Sequence, residues 1–136
     1  MSSYPIASIE GVGPAYAEKL KTAGITNTGT LLDRAKDPKG RKTVAAETGI
    51  DESRILKWAN MCDLMRIKGV AEEYSELLEA AGVDTVKELK TRKPENLHAK
   101  MVEVNEAKKL VRLVPSAKQV ADWVEQAKSL PAMMTY

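Results

Sequence analysis

Gly11, Val12 and Gly13 stand directly before Pro14, an arrangement suited to holding an anion. Glycine lets the backbone bend sharply and come close to a ligand. The first N–H groups of the helix that follows have no intrahelical acceptor and can hold a phosphate oxygen. Lys19 and Lys21 follow within the same stretch, and Lys39, Arg41 and Lys42 end a basic run that begins at Arg34 and Lys36. The chemistry this predicts is a grip on a nucleic-acid backbone with little readout of bases. A second turn, Lys68-Gly69-Val70-Ala71, repeats the pattern in weaker form. Ala71 replaces the second glycine, and Glu72, Glu73, Glu76 and Glu79 follow; carboxylates at a helix start stabilise the helix but repel a phosphate. Lys68 and Gly69 are the residues of this turn that remain suited to backbone contact. The competing reading of both turns is a compact joint between two packed helices that binds nothing.

The remaining reactive side chains predict no catalysis. His98 has no acid, base or nucleophile fixed near it by spacing and is expected to cap a helix or to make a buried hydrogen bond. Cys62 is the single cysteine, so it forms no internal disulfide, and between Met61 and Met65 it reads as a small half-buried residue. Asp33 and Asp37 lack the order of a metal-binding loop. No Gly-rich loop ending in Lys-Ser or Lys-Thr is present. The sequence therefore predicts a non-enzymatic protein without cofactor or metal.

These residues are positioned by a repeat. Ile9 to Leu20 aligns with Ile67 to Leu78 at an offset of 58, and the match continues through Ala23-Gly24-Ile25 and Ala81-Gly82-Val83 to Leu31 and Leu89. Further on, Asp51, Ile55 and Trp58 meet Ser116, Val120 and Trp123 at an offset of 65. In each copy a capping residue is followed four and seven positions later by large apolar groups on one helical face. The expected fold is all-α, two tandem helix-hairpin-helix units over 5–64 and 65–130, with a loose tail over 131–136. Tyr16, Leu20 and Ala23 share a buried stripe, and Trp58, Trp123, Tyr16 and Tyr74 read as repeated packing positions rather than as platforms for bases.

Local signals place the elements. Pro5 to Ile9 allows a short opening helix, Pro14 suits a first helical turn, and Gly24, Gly49 and Gly82 are stops. Thr28 or Thr30 starts a short helix, Asp37-Pro38-Lys39-Gly40 breaks the chain, and Lys42 to Thr48 is helical. Asp51 caps a helix that runs almost directly into the second turn. A helix from about Asp84 to Thr91, a mainly helical stretch from Pro94 to about Val114, and a final helix capped by Ser116 complete the reading.

Composition narrows the partners. With 43% apolar and 29% charged residues the 136-residue chain has a globular balance, so folding is expected throughout most of it. The 21 basic and 19 acidic residues divide as 9 and 8 over 5–64 and as 12 and 11 over 65–130, so neither half is a basic arm. A dedicated polyanion binder usually carries a clearer surplus. No long apolar run is present, and the start Met1-Ser2-Ser3-Tyr4-Pro5 has neither a basic nor an apolar stretch, so no membrane contact and a cytoplasmic location are expected.

The stretch from Ile9 to Leu20, with Ala23-Gly24-Ile25 and Thr48-Gly49-Ile50-Asp51-Glu52, resembles the N-terminal helix-hairpin-helix domain of archaeal and eukaryotic RecA-like recombinases. The resemblance covers about residues 5–64 and returns weakened over 65–130. It implies DNA contact through residues 11–13, with Ala71 departing from the pattern in the second turn. The whole chain also resembles a bacterial family known as domain of unknown function 4332, through Leu64-Met65-Arg66-Ile67-Lys68-Gly69-Val70 and Asn96-Leu97-His98-Ala99-Lys100. That likeness implies the fold and no activity. The expected role is an adaptor on a DNA or RNA backbone. The alternative is a protein-interaction or scaffold module, within an assembly or as a homo-oligomer, that has lost phosphate affinity.

Overall fold

A computed structural model describes residues 3–9 and 11–136, without the side chain of Glu72. Glu10, part of the first turn's sequence pattern, lies outside the described residues. A 3-10 turn over Ile6–Ser8 precedes eight α-helices among the described residues: α1 Pro14–Thr22, α2 Thr28–Ala35, α3 Pro38–Thr48, α4 Glu52–Leu64, α5 Glu72–Ala80, α6 Val86–Leu89, α7 Pro94–Lys108 and α8 Ala117–Ser129. The fold is all-α, and none of these helices is long and apolar enough to cross a membrane.

Helix ends follow from the local chemistry. Asn27, Asp37 and Thr85 accept from the backbone N–H of Thr30, Gly40 and Glu88, so they cap α2, α3 and α6. Ser116 and Gln119 form a reciprocal capping box on α8. Asp37 and Pro38 thus start α3 rather than break the chain, since proline at the first helical position loses no bond. Gly24 closes α1 at φ +81°, with Ile25 N–H donating to Leu20 O and Gly24 N–H to Lys21 O. Gly82 closes α5 at φ +96°, with Val83 N–H donating to Leu78 O and Gly82 N–H to Glu79 O. Both ends have the paired bonds that a left-handed residue after a helix permits.

The buried side chains form two clusters. One gathers Ile9, Val12, Leu20, Ile25, Leu31, Ile55 and Trp58, with Tyr16 packed against it. The other gathers Ile67, Val70, Leu77, Val83, Leu89, Val120 and Trp123, with Tyr74 against it. The ring centroids of Tyr16 and Trp58 lie 5.2 Å apart, and those of Tyr74 and Trp123 lie 5.3 Å apart. The expected packing role of all four rings is what their contacts display.

The clusters meet where α4 ends, Leu64 belonging to the second and Met65 to the first. Buried Asp63 accepts from Arg66 Nη1 at 2.6 Å through one oxygen and from Val86 N–H at 2.8 Å through the other. Arg66 Nη2 donates to Pro131 O at 2.8 Å. At the position matching Val86, 58 residues earlier, Thr28 N–H is satisfied by Tyr4 O at 2.8 Å. The same helix-start donor is thus met by backbone in one half and by a carboxylate in the other.

Two further expectations are corrected. The mainly helical stretch ends at Lys108, not near Val114, because Asn105 accepts from Val111 N–H and donates to Val111 O, folding the chain back after Lys109 at φ +51°. The tail over 131–136 is docked, not loose. Thr135 N–H donates to Lys36 O at 2.8 Å, Met134 is buried in the first cluster, and the Tyr136 hydroxyl reaches Asn60 Oδ1 at 2.9 Å.

Candidate functional site

The first turn is built by one glycine that must be glycine and one that need not be. Gly11 has φ +92°, a conformation costly for any L side chain, and a Cβ there would lie 3.5 Å from Trp58 Nε1. Val12 is buried and plugs the turn into the first cluster, its N–H donating to Ile9 O at 3.1 Å. Gly13 is extended, exposed, and has open space where a Cβ would stand. Ala71 takes the matching place before α5 in the same extended conformation, which explains how the second glycine is dispensed with there.

No side chain caps α1 at Gly13. Pro14 has no N–H, and helix geometry leaves the N–H groups of Ala15 and Tyr16 without an intrahelical acceptor, so the start of α1 offers donors to an external oxygen. α5 is equally uncapped at Ala71, but exposed Glu73 stands in its first turn. In the second turn Gly69 has φ +97°, a Cβ there would lie 3.1 Å from Trp123 Nε1, and Gln126 clamps the Lys68 backbone through both its N–H and its carbonyl, leaving the residue exposed.

The cations sort into two groups. Tyr16 on α1 is half-buried, with the Arg54 guanidinium 5.0 Å and Lys19 Nζ 5.8 Å from its ring centroid. Arg54 sits one turn before Trp58 on α4, so it projects from the face that meets the first turn, although Asp51 and Glu52 begin the same helix. Lys21 is exposed farther along α1, and Lys39 and Lys42 are exposed on α3. Arg41 differs from the expected solvated cation: it is buried, Nη1 donating to Ala35 O at 3.0 Å and Nη2 to Thr135 O at 2.8 Å, with its guanidinium 5.7 Å from the Tyr136 ring. Arg34 and Lys36 are also engaged, Arg34 with Glu47 at 2.7 Å and Ala23 O at 3.1 Å, Lys36 with Asp33 at 3.5 Å.

Arg54 lies outside the runs of charge that mark the other cations in the sequence. Its signal in the sequence is its spacing of four from Trp58, the residue that backs the turn. The corresponding places in the second half are Gln119 for Arg54 and buried Leu77 for Lys19, so these two cations belong to the first turn only.

Reactive side chains elsewhere are ordinary. His98 is half-buried within α7, not at its cap. Cys62 is buried, and that burial, with Asp63 beside it, pushes its thiol far above the usual range, so it is a poor nucleophile. Among the described residues no three His, Cys, Asp or Glu side chains are grouped to hold a metal ion.

Residues 10–130 match the family model described as Domain of unknown function (DUF4332). The chain belongs to that family. No solved structure matches it. For a DUF4332 chain the match carries no ligand, so the functional reading rests on the first turn: uncapped donors on α1, with Arg54 and Lys19 beside them.

Proposed function

We propose that the two halves are tandem helix-hairpin-helix units related by internal duplication, forming a non-catalytic cytoplasmic adaptor that holds the phosphate backbone of DNA or RNA. The observation that carries this reading is the uncapped start of α1 with Arg54 and Lys19 around Tyr16. Backbone N–H donors fix a phosphate oxygen without reading sequence, and the neighbouring cations add long-range attraction. Gly11 and Val12 shape the turn, while Lys21, Lys39 and Lys42 extend the positive surface. Lys68 and Gly69 form a weaker second contact beside Glu73. Support also comes from the likeness of the first half to the DNA-contacting N-terminal domain of archaeal and eukaryotic RecA-like recombinases.

The test is binding of the purified chain to short single-stranded and duplex DNA and to RNA at low and physiological salt. Binding should weaken as salt rises, because each phosphate neutralised releases counterions. Gly13→Glu is the decisive variant, since the open space at Gly13 accepts a side chain while the new carboxylate sits at the helix start. Binding lost in a folded Gly13→Glu protein supports the proposal; no binding of the unaltered chain even at low salt sinks it.

A further inference from the structure

Leu113 is 76% exposed, the most exposed large apolar side chain among the described residues. It stands between Arg112 and Val114, both of which line a groove of about 760 Å³. Val102, Leu110, Val111 and Val114 give that groove an apolar floor, and exposed Glu73, Glu106, Lys109 and Arg112 flank it. The loop that displays Leu113 is held in place: Asn105 bonds both backbone groups of Val111 at 3.0 Å, and the Tyr74 hydroxyl donates to Leu113 O at 3.1 Å. A loop fixed in this way loses little conformational freedom on docking.

We propose that Leu113 and this groove form an isologous interface between two copies of the chain, each copy's Leu113 entering the other's groove and Arg112 of one pairing with Glu73 of the other. The charge pattern selects a second copy over an acidic or basic partner. One groove carries two carboxylates and two cations, so the face is neither wholly negative nor wholly positive and complements itself across a two-fold axis. One exposed leucine per copy supplies little apolar area, whereas stable specific interfaces bury roughly 1,200–2,000 Å². The association is therefore weak and driven by concentration. None of the first turn's residues lines the groove. The interface leaves the first turn free, while Glu73 adjoins the weaker second contact at Lys68 and Gly69.

The test is sedimentation velocity of the whole chain, free of nucleic acid, from low to high micromolar concentration. The unaltered chain should shift from monomer to dimer, and Leu113→Asp, with circular dichroism confirming the fold, should weaken association by at least about tenfold, equivalent to about 1.4 kcal/mol. Arg112→Glu should weaken it as well, and adding Glu73→Arg to the same chain should restore it. A chain that stays monomeric at the highest concentration overturns the proposal. So does a dimer indifferent to Leu113→Asp, or a reversed charge pair that fails to restore association.

Discussion

Arg41 Nη2 donates to the carbonyl of Thr135 at 2.8 Å, joining residues 94 positions apart in the sequence. The other arm of the guanidinium holds Ala35 O, so one buried cation ties the end of α2 to the C-terminal segment. Its place in a run of lysines disguises that role.

Arg41→Ala should destabilise the protein by about 2–4 kcal/mol, since it leaves two carbonyls without their charged donor and removes the cation facing Tyr136. Arg41→Lys should recover only part of this, because an ammonium lacks the fork that reaches two acceptors at once. Urea denaturation measures the loss. Hydrogen exchange should show Thr135 N–H opening ahead of the helices, whereas an unchanged midpoint would assign Arg41 to the surface.

The glycines of the turns should separate by conformation. Gly69→Ala forces an L residue to φ +97° with its Cβ 3.1 Å from Trp123 Nε1, and should cost about 1–3 kcal/mol. Gly13→Ala, extended and facing open space, should change stability by less than about 0.5 kcal/mol. Equal losses in thermal denaturation would contradict the turn geometry.

The features legible in the sequence were those set by neighbours in the chain. Gly24, Gly49 and Gly82 were readable as helix stops because positive φ is a property of one residue. Trp58 and Trp123 were readable as packing positions because the spacing back to Ile55 and Val120 is helical. Arg41, Arg54 and the docked tail were not readable, since their partners come from other helices and a charged side chain looks alike whether it is solvated or buried on a carbonyl. The end of α7 was hidden for a related reason: an asparagine compatible with helix turns its amide onto Val111 instead.

Asp63 and Arg66 form a pair with side chains 2% and 5% exposed. Asp63→Ala should cost about 3–5 kcal/mol by leaving a buried guanidinium without its carboxylate, and Arg66→Met should cost a comparable amount. The double variant should lose clearly less than the sum of the two, since neither charge is then left alone. Denaturant midpoints of the four proteins close this cycle, and additive losses would show that the pair is not coupled.

Burial raises the Glu79 carboxyl above its ordinary range; Lys57, 3.8 Å away, opposes the shift and Asp84 adds to it. A carboxyl raised in the folded state binds more protons there than in the unfolded chain. Stability should therefore fall as pH rises from the usual glutamate value through the raised one, and remain lower at neutral pH. Glu79→Gln should remove that decline. The comparison is stability against pH for both proteins between acid and neutral conditions, and parallel curves would place Glu79 in solvent.

Arg54 offers the sharpest test of the nucleic-acid reading, because its contribution would be electrostatic and its removal should leave the fold intact. It is exposed, and its guanidinium stands 5.0 Å from the Tyr16 ring centroid beside the start of α1. If it neutralises one phosphate, Arg54→Ala should weaken binding to all sequences alike and reduce the slope of log affinity against log salt by about 0.9 on duplex DNA. Lys118→Ala, beside the second-half position Gln119, should leave both affinity and slope unchanged. Salt titrations of the two variants decide the matter. Equal effects would mean that binding follows net charge rather than the first turn, and loss of affinity in Arg54→Ala with an unchanged slope would mean that Arg54 supports Tyr16 without meeting the backbone.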